Sequence, residues 1–275
     1  MQYSPEEWET IEREEHDASY KERFPFHFKD YRVDPDAVIW FQDYCFKPGR
    51  RMDRGHRTKR VFEIMDINNI TGTMILDVGC GNGQYSVLFA LLGAIVYGCD
   101  ISPVGIQTAN KMAQINGVSD KCYFSVQNAS QLSYPSEYFD IVLMHEALHH
   151  IIKYPNIKEE ALRVLKSSGT LIAAETIKGC TLFNLARYFT MKGNEAKGDV
   201  IMSLNDLVAF AKGFSEERYE MMSLCFMLKR AFQEYLHIPI VRRFLFSLKS
   251  IDDFLLYLFP SLQKYCGECV MILKK

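Results

Sequence analysis

The sequence predicts an α/β fold in which helices cover both faces of a doubly wound, mostly parallel sheet of seven strands. From Thr73 onward, apolar runs suited to buried strands alternate with segments of helical periodicity, a pattern typical of a parallel sheet with crossover helices. A turn of three alternating glycines follows the first run. The last apolar run, Glu268 to Leu273, comes after a long helical segment, and we expect it to enter the sheet as an antiparallel strand.

Composition and charge restrict the classes of function. The chain has 275 residues, of which 48% are hydrophobic, and a formal net charge of −2. These values suit one large soluble domain with elaborations and provide no overall basic field for nucleic acid. Residues 1–15 lack the regions of a secretion signal, and no apolar run approaches the roughly 18 residues of a membrane span. We therefore expect no transmembrane segment, no nucleic-acid partner and a cytoplasmic location.

The eight cysteines are expected to be reduced thiols, because several lie inside apolar runs where they act as small hydrophobic residues. Cys266 and Cys269 have a zinc-like spacing, but no second pair accompanies them. We therefore predict structural cysteines and no metal site.

Residues 1–60 are predicted to form a helical and aromatic cap. Ser4 and Glu7 form a capping pattern for a helix from Pro5 to His16, and an aromatic region spans residues 20–46. These rings either fill a packing interface or form a lid over a substrate. A basic cluster at residues 50–60 includes Arg54, which is either part of a solvated helix face or a contact for an anionic substrate.

The turn after the first strand carries the strongest motif, Asp77-Val78-Gly79-Cys80-Gly81-Asn82-Gly83. A dinucleotide fingerprint would place a third glycine or alanine three residues after the second, where this chain has Gln84. Glycines let the backbone approach a ligand closely, and the following helix is expected to offer unpaired N–H groups. The motif resembles the first motif of the class I S-adenosylmethionine-dependent methyltransferases, which have a Rossmann-like fold.

This resemblance implies S-adenosylmethionine as the cofactor and assigns residues to it. Asp77 would position the methionine part, together with the backbone of Gly79, Cys80, Gly81 and Gly83. Asp100 lies at the end of the second strand, where an acid can accept hydrogen bonds from both ribose hydroxyls.

Further cofactor contacts are predicted at the next strand ends: Ile101, Asn128, Ala129 and Met144. Asn128-Ala129 stands where the family usually has Asp-Ala. The Asn128 side-chain oxygen can still accept a hydrogen bond from an adenine amino group.

The fourth strand is followed by His145-Glu146-Ala147-Leu148-His149-His150. With residues 160–169, this segment resembles the type 11 methyltransferase group. Ligands of open parallel sheets bind beyond the strand ends, so we expect His145 first and His149 next as a general base for an oxygen acceptor. On a helix these two would share a face, with His150 about 100° away as a substrate contact. A hydrogen-bonded structural role is the alternative for each, and the pair lacks a third metal ligand.

Other segments are expected to shape the acceptor pocket. Tyr85 and Glu175 are candidate substrate contacts, although both also suit packing or pairing roles. Residues 61–275 are predicted to form the methyltransferase domain, with insertions at 178–202 and 224–264. The second insertion is apolar at helical spacing and would pack over the active-site mouth, form a homodimer surface or contact a membrane surface.

The sequence thus favours a methyltransferase that modifies a small molecule. A methyltransferase acting on a macromolecule and a non-catalytic fold relative that binds the nucleoside remain alternatives. The sequence leaves open O-, N- or C-methylation and the identity of the acceptor, which could be an anionic or partly apolar metabolite, a sugar or a lipid precursor.

Overall fold

The structure is a computed structural model that describes residues 4–27, 32–33, 52–180, 200–230, 232, 235 and 238–275. The strands are β1 (Met74–Val78), β2 (Ile95–Asp100), β3 (Cys122–Val126), β4 (Phe139–His145), β5 (Leu165–Thr176), β6 (Glu216–Met222) and β7 (Glu268–Lys274). The α-helices are α1 (Pro5–His27), α2 (Met52–Ile64), α3 (Gln84–Leu91), α4 (Pro103–Ile115), α5 (Leu148–Ile151), α6 (Ile157–Val164), α7 (Leu204–Ala211) and α8 (Pro239–Leu258). Short 3-10 helices span Ile67–Asn69, Phe226–Arg230 and Pro260–Tyr265.

All seven strands form one sheet in the order β3-β2-β1-β4-β5-β7-β6. Strand β1 pairs in parallel with β2 and β4, and β4 pairs in parallel with β5. Strand β7 is antiparallel to both β5 and β6. The predicted fold class is therefore confirmed, including the antiparallel last strand.

The pairing brings several polar residues to one edge of the sheet. Strands β1, β2, β4 and β5 end at this edge because they run in the same direction. Strand β7 begins there, since Glu268 is the register partner of Thr176. Side chains from Asp100, His145 and Glu268 are thus collected along the carboxyl edge, although they lie far apart in the sequence.

Apolar layers cover both faces of the sheet. On one face, Val61 of α2, Val87 of α3 and Met112 of α4 are fully buried. On the other, Ile157 and Ala161 of α6 pack with Leu207 of α7. The alternation read from the sequence therefore gives the three-layer arrangement that buries near-continuous apolar strands.

Several element bounds differ from the predictions. The Ser4–Glu7 capping pattern forms as expected, with the Ser4 N–H donating to Glu7 Oε2 at 2.7 Å. Helix α1, however, continues to His27 rather than ending at His16, because its later turns pack on α4. Strand β5 begins at Leu165, which already pairs with Phe139 before a register shift. Most of the insertion predicted at 178–202 lies outside the described residues, because residues 181–199 are not described.

Other expectations concern the thiols and the membrane. In the described part of the chain, seven cysteines are free thiols, and Cys45 lies outside it. Among the described helices, none combines the length and the apolar composition that crossing a bilayer requires.

Candidate active site

The glycine turn between β1 and α3 has the backbone that its sequence requires. Gly79, Gly81 and Gly83 have φ values of +71°, +54° and +73°, which residues other than glycine rarely adopt. A Cβ on Gly79 would lie 2.6 Å from the Cβ of Ala147. The turn therefore runs close against the segment after β4 and leaves room for a ligand on its other side.

The amides of this turn are largely used within the chain. The N–H groups of Gly79 and Cys80 donate to the Cys99 carbonyl, and that of Gly83 donates to the Cys80 carbonyl. The Gly81 N–H donates to Asp100 Oδ2 at 2.8 Å. A phosphate site would need these donors directed outward, so the turn does not have the features of a phosphate cradle.

Asp100 lies at the end of β2 and lines the cleft beside the turn. Its Oδ1 accepts from the Ser102 N–H at 2.9 Å, while its Oδ2 accepts from Gly81. An ionised carboxylate has about four acceptor positions, so two backbone donors leave capacity for two ligand hydroxyls. Burial raises the pKa of Asp100, and two further donors would favour its ionised form.

Asp77 lies beneath the same turn and is 4% exposed. The Ser86 hydroxyl donates to its Oδ2 at 2.6 Å. Burial raises the pKa of Asp77 to about 6, despite the opposing effect of the Ser86 hydrogen bond, and the charge of Asp100 adds to the increase. Two acids on either side of a glycine turn attract hydroxyl and ammonium groups and repel phosphate.

The cleft encloses a cavity of about 90 Å³ beneath helix α1. Of the predicted cofactor contacts, Gly79, Asp100, Ile101, Asn128 and Ala129 line this cleft. Its carboxylate and its lining residues are compatible with a nucleoside, so the residues present fit the implied cofactor.

Asn128 already has partners within the chain. Its Oδ1 accepts from the Ser130 N–H and hydroxyl at 2.9 and 2.8 Å. Its Nδ2 donates to Glu9 of α1 at 2.8 Å. The predicted adenine contact of this oxygen remains a prediction, and an adenine would share the oxygen with Ser130.

Helix α1 closes the cleft, and the sequence interpretation missed the residues involved. Glu12, His16 and Tyr20 line the cavity, and the Tyr20 ring lies against Gly81 and Gly105. The Tyr154 hydroxyl donates to Glu12 at 2.6 Å. These three residues follow each other at intervals of four, which places them on one helix face, and this spacing was the available signal.

His145 and His149 do not share a helix face, which corrects the sequence interpretation. His145 is the last residue of β4, and its Nε2 lies 2.8 Å from the Thr58 hydroxyl. The predicted contact Tyr85 packs its ring 4.9 Å from that of His145. The strand geometry directs His145 toward α2 and α3, and this residue does not line the cleft described above.

His149, like His145, is not among the residues that line the cleft, and it is held by a buried carboxylate. Its Nδ1 lies 2.8 Å from Glu175 Oε2, and Glu175 Oε1 accepts from the Leu148 N–H at 2.7 Å. The side chain of Glu175 is 1% exposed, whereas that of His149 is 22% exposed. Glu175 therefore orients the imidazole, and a carboxylate in this position fixes which ring nitrogen carries the proton.

His150 lines the cleft. Its ring is 4.0 Å from the His149 ring and makes an edge contact with His16 at 4.8 Å. The three imidazoles form a continuous row from Glu175 toward Asp100. This row connects the end of β5 to the cofactor cleft.

A second group of charges is buried at the carboxyl edge, and one of its members, Glu146, also lines the cleft. Arg57 is fully buried and donates to Glu146 and, at 2.9 Å, to the Thr176 hydroxyl. Lys229 Nζ donates to both Glu268 oxygens at 3.0 and 2.8 Å. Burial alone would raise the pKa of Glu268, but Lys229 and Arg57 outweigh it and hold the pKa at about 2.

The remaining predicted site residues lie elsewhere. Met144 is buried in the core of β4. Cys80 is in the turn, and burial raises its thiol pKa well above the usual range, which disfavours a thiolate. Arg54 belongs to α2, but its side chain lies outside the described residues. No cluster of metal-ligating side chains occurs within the described ranges.

Comparison with known proteins identifies the domain. Residues 76–173 match the model of the type 11 family, described as a methyltransferase domain. The 27-O-demethylrifamycin SV methyltransferase of Amycolatopsis mediterranei is 36% identical over 101 residues, which are 36% of this chain and 37% of the relative. Across the curated relatives, the match covers between 32% and 56% of their length.

Solved structures match over much more of the chain. A putative sarcosine dimethylglycine methyltransferase from Galdieria sulphuraria has a TM-score of 0.61 and 16% identity, and the match covers 94% of this chain and 98% of that one. The 4+2 cyclase SpnF has a TM-score of 0.56 and 25% identity, with coverage of 78% and 80%.

Fold, glycine turn and matched model together define a class I methyltransferase domain. Residues 76–173 thus match a methyltransferase domain of type 11, and the fold around them is similar to that of the solved methyltransferase structure.

Proposed function

We propose that this chain is an S-adenosylmethionine-dependent methyltransferase whose acceptor is a small molecule. The observation that carries this proposal is the pair of buried carboxylates, Asp77 and Asp100, on either side of the glycine turn. Such a pair suits a cofactor that presents ribose hydroxyls and an ammonium group, and it would repel a dinucleotide pyrophosphate. The type 11 match over residues 76–173 supports the same conclusion.

Each part of the cofactor has residues that would hold it. Asp100 would accept the ribose hydroxyls, Asp77 would favour the methionine ammonium group, and Ile101 and Ala129 would pack on the adenine. When bound, S-adenosylmethionine supplies an electrophilic methyl group. Methyl transfer is a displacement, so the protein mainly aligns the acceptor and excludes water. Helix α1 closes over the cleft and is suited to this exclusion.

The acceptor is proposed to carry a hydroxyl group that loses a proton. The rifamycin relative is an O-methyltransferase by its printed name, and the row of imidazoles provides a base for such an acceptor. The Nδ1 of His149 faces the Glu175 carboxylate, so we expect the ring proton on Nδ1 and the basic lone pair on Nε2. We therefore propose His149 as the base and Glu175 as its positioning residue, and His145 becomes the second choice.

Further proposals concern location and partners. We propose a cytoplasmic protein without a nucleic-acid partner, in keeping with the net charge of −2. We also propose that residues 224–264 hold a second copy of the chain. Of the 14 large apolar side chains exposed in the described residues, nine lie in this segment.

Replacement of Asp100 tests the cofactor site. Each hydrogen bond to a charged acceptor contributes about 1.5–3 kcal/mol, so loss of two should weaken cofactor binding about 10²- to 10⁴-fold. Calorimetry with S-adenosylhomocysteine should show this loss for Asp100→Ala, whereas Asp120→Ala, on an exposed turn, should bind as wild type does. Because Asp100 also holds the turn, Asp100→Asn serves as the milder variant. Unchanged affinity in both Asp100 variants would refute the proposal.

The proposed base is tested by kinetics. A general base contributes about 10²- to 10⁴-fold to a rate. Once an acceptor is found with labelled cofactor and mass spectrometry of cell extracts, His149→Ala should lower kcat in this range without changing cofactor affinity. Glu175→Gln should lower kcat less and shift the acidic limb of the pH–rate profile. Equal losses for His145→Ala and His149→Ala would contradict the assignment.

The alternatives have their own signatures. The similarity to the cyclase SpnF favours, as a second candidate, a protein that binds the nucleoside without methyl transfer. Such a protein would bind S-adenosylmethionine but leave no labelled product. A macromolecular acceptor would instead yield label in the protein or nucleic-acid fraction of the extract.

A further inference from the structure

Helix α8 carries a regular apolar seam on its exposed side. The seam residues are Ile240, Phe244, Ser247, Ile251, Phe254 and Leu258. They are separated by intervals of four, three, four, three and four, and at about 100° per residue they lie within an arc of about 80°. Five of the six are large apolar residues that remain exposed. The pattern is the a/d repeat of a coiled coil, extended over almost three heptads.

The opposite side of α8 is already used by the fold. Leu245 is fully buried, and the Asp252 carboxylate accepts from the N–H groups of Cys225 and Phe226 at 2.8 Å each. These contacts fix the helix on the 3-10 turn that contains Lys229. The seam is therefore a second face of a firmly attached helix, and packing within the described residues does not account for it.

We infer that the α8 seam is the contact through which two copies of this chain pair, with their α8 helices antiparallel about a twofold axis. This inference deepens the self-association proposed above. It does not depend on methyl transfer, so the two proposals can fail separately.

The size of the seam suits a stable dimer. The five apolar seam residues are 46% to 69% exposed, and Tyr257 beside them is 82% exposed. This exposure amounts to about three and a half fully exposed side chains, or about 700 Å² at roughly 200 Å² each. A partner in a standard interface contributes about 800 Å².

The antiparallel direction follows from which residues would meet. With the axis near residue 249, Phe244 meets Phe254 of the second copy, Ile240 meets Leu258, and Ser247 meets Ile251. Every layer then contains an apolar residue, as an a–d pairing requires. A parallel pair would instead place the two Ser247 hydroxyls against each other in a middle layer.

Side chains beside the seam support the same direction. Arg243 and Tyr257 flank the seam on the same side, at about 60° and 100° from its axis. Antiparallel helices bring Arg243 toward Tyr257 of the second copy, where a cation can lie over the ring, and they also align the helix dipoles favourably.

A membrane surface fits this face less well. Interfacial helices have a wide apolar face and a polar face rich in Lys and Arg. The side of α8 away from the seam is packed on protein through Leu245 and Asp252, so it does not present such a polar face. Lys249, moreover, is paired with Asp253 at 2.6 Å, which leaves Arg243 as the nearby described cation.

Sedimentation and light scattering of the full chain test the pairing. The wild-type chain should be a dimer at micromolar concentration, and Ile251→Glu should weaken dimerisation at least 100-fold. Val208→Glu makes the same kind of change at an exposed position of α7 and should remain dimeric. Ser247→Leu places an apolar side chain in the two symmetric layers in which Ser247 meets Ile251. It should therefore tighten the dimer at least tenfold. This gain cannot result from misfolding.

Disulfide cross-linking tests the direction. A mixture of Phe244→Cys and Phe254→Cys chains should form a mixed disulfide on mild oxidation, beyond the background of wild-type chains. Phe244→Cys alone should not. Efficient cross-linking of Phe244→Cys with itself would overturn the antiparallel arrangement.

Three results would overturn the pairing itself: a wild-type chain that is monomeric at all concentrations, a dimer unaffected by Ile251→Glu, or a monomer that floats with anionic vesicles through Ile251. Calorimetry of Ile251→Glu with S-adenosylhomocysteine should give wild-type affinity. A failed pairing with intact cofactor binding would therefore leave the proposed methyltransferase unaffected.

Discussion

The two halves of the carboxyl edge are built in different ways. The half at β1 and β2 contains one continuous motif with two buried acids, Asp77 and Asp100, and a backbone turn between them. The half at β4, β5 and β7 collects Arg57, Glu146 and Glu268 from three separate parts of the chain and balances them as ion pairs. The first half keeps acids partly unneutralised, which suits ligand binding, whereas the second half neutralises its charges internally.

This difference shows which half of the edge is arranged to bind a ligand and which half stabilises the fold. Burial raises the pKa of Asp77 and Asp100, so these acids are unfavourable in the protein until a ligand brings donors to them. Glu268, by contrast, has a pKa of about 2 because Lys229 and Arg57 stabilise its charge. Substitutions in the second half should therefore lower stability, whereas substitutions of the acids in the first half should weaken cofactor binding without lowering stability.

The largest expected effect is from Arg57→Met. Removing one partner of a buried ion pair leaves the other charge uncompensated and costs about 3–5 kcal/mol. For a chain of this size, the melting temperature should fall by roughly 10 °C. Denaturant titration measures the loss in free energy of unfolding.

Arg60→Met is the matched control, because Arg60 is on the same helix but its side chain is 33% exposed in its pair with Glu220. An exposed pair contributes about 0–1 kcal/mol. If the two variants lose the same stability, the second half of the edge is not the stabilising unit described here. Cofactor affinity of folded Arg57→Met at low temperature should stay near wild type.

In contrast to Arg57→Met, the substitution Asp77→Asn should stabilise the ligand-free protein. The pKa of Asp77 rises from 3.8 to about 6 on folding, so its ionised form disfavours the folded state by about 3 kcal/mol at pH 8. This cost is absent below the unfolded pKa and grows as pH rises through the folded pKa. The variant should thus gain stability at pH 8 and lose that gain toward pH 4, while cofactor affinity falls.

Asp120→Asn is the control for this change, since a surface substitution usually stays within about 0.5 kcal/mol. Thermal melts across pH 4 to 8 measure both variants. A pH-independent difference between Asp77→Asn and the wild type would contradict the assigned cause.

The contrast between the two halves of the carboxyl edge also explains which features could be predicted from the sequence. The cofactor half was accessible because Asp77, the glycines and Asp100 lie close in sequence, and their chemistry depends on local backbone geometry. The mostly parallel sheet and the antiparallel β7 were predicted from the alternation of elements, whereas the strand order was not. Both predicted features are properties of short segments.

The second half could not be predicted, because Arg57, Lys229 and Glu268 each resemble an ordinary surface charge in the sequence. Their burial depends on long-range pairing, for example the register that sets Glu268 opposite Thr176. The histidines show the same limit. A helix was assumed through His145, but β4 continues to that residue, so the relation between His145 and His149 was wrong.

Helix α1 joins the two halves and gives the smallest expected effect. Its Asp17 accepts hydrogen bonds from the Ser102 hydroxyl and, at 3.4 Å, from the Val104 N–H. These bonds attach α1, which covers the cleft, to the cofactor half. Loss of about 1 kcal/mol in Asp17→Ala should raise the dissociation rate of S-adenosylhomocysteine about fivefold in stopped-flow measurements.

Glu14→Ala is the control for Asp17→Ala, because it replaces an exposed carboxylate on the same helix and should leave the rate unchanged. Equal rates in both variants would mean that α1 does not retain the cofactor. A faster dissociation rate in Asp17→Ala alone, with a nearly constant melting temperature, would show that helix α1 helps to retain the cofactor. A contact that served only folding would instead lower the melting temperature.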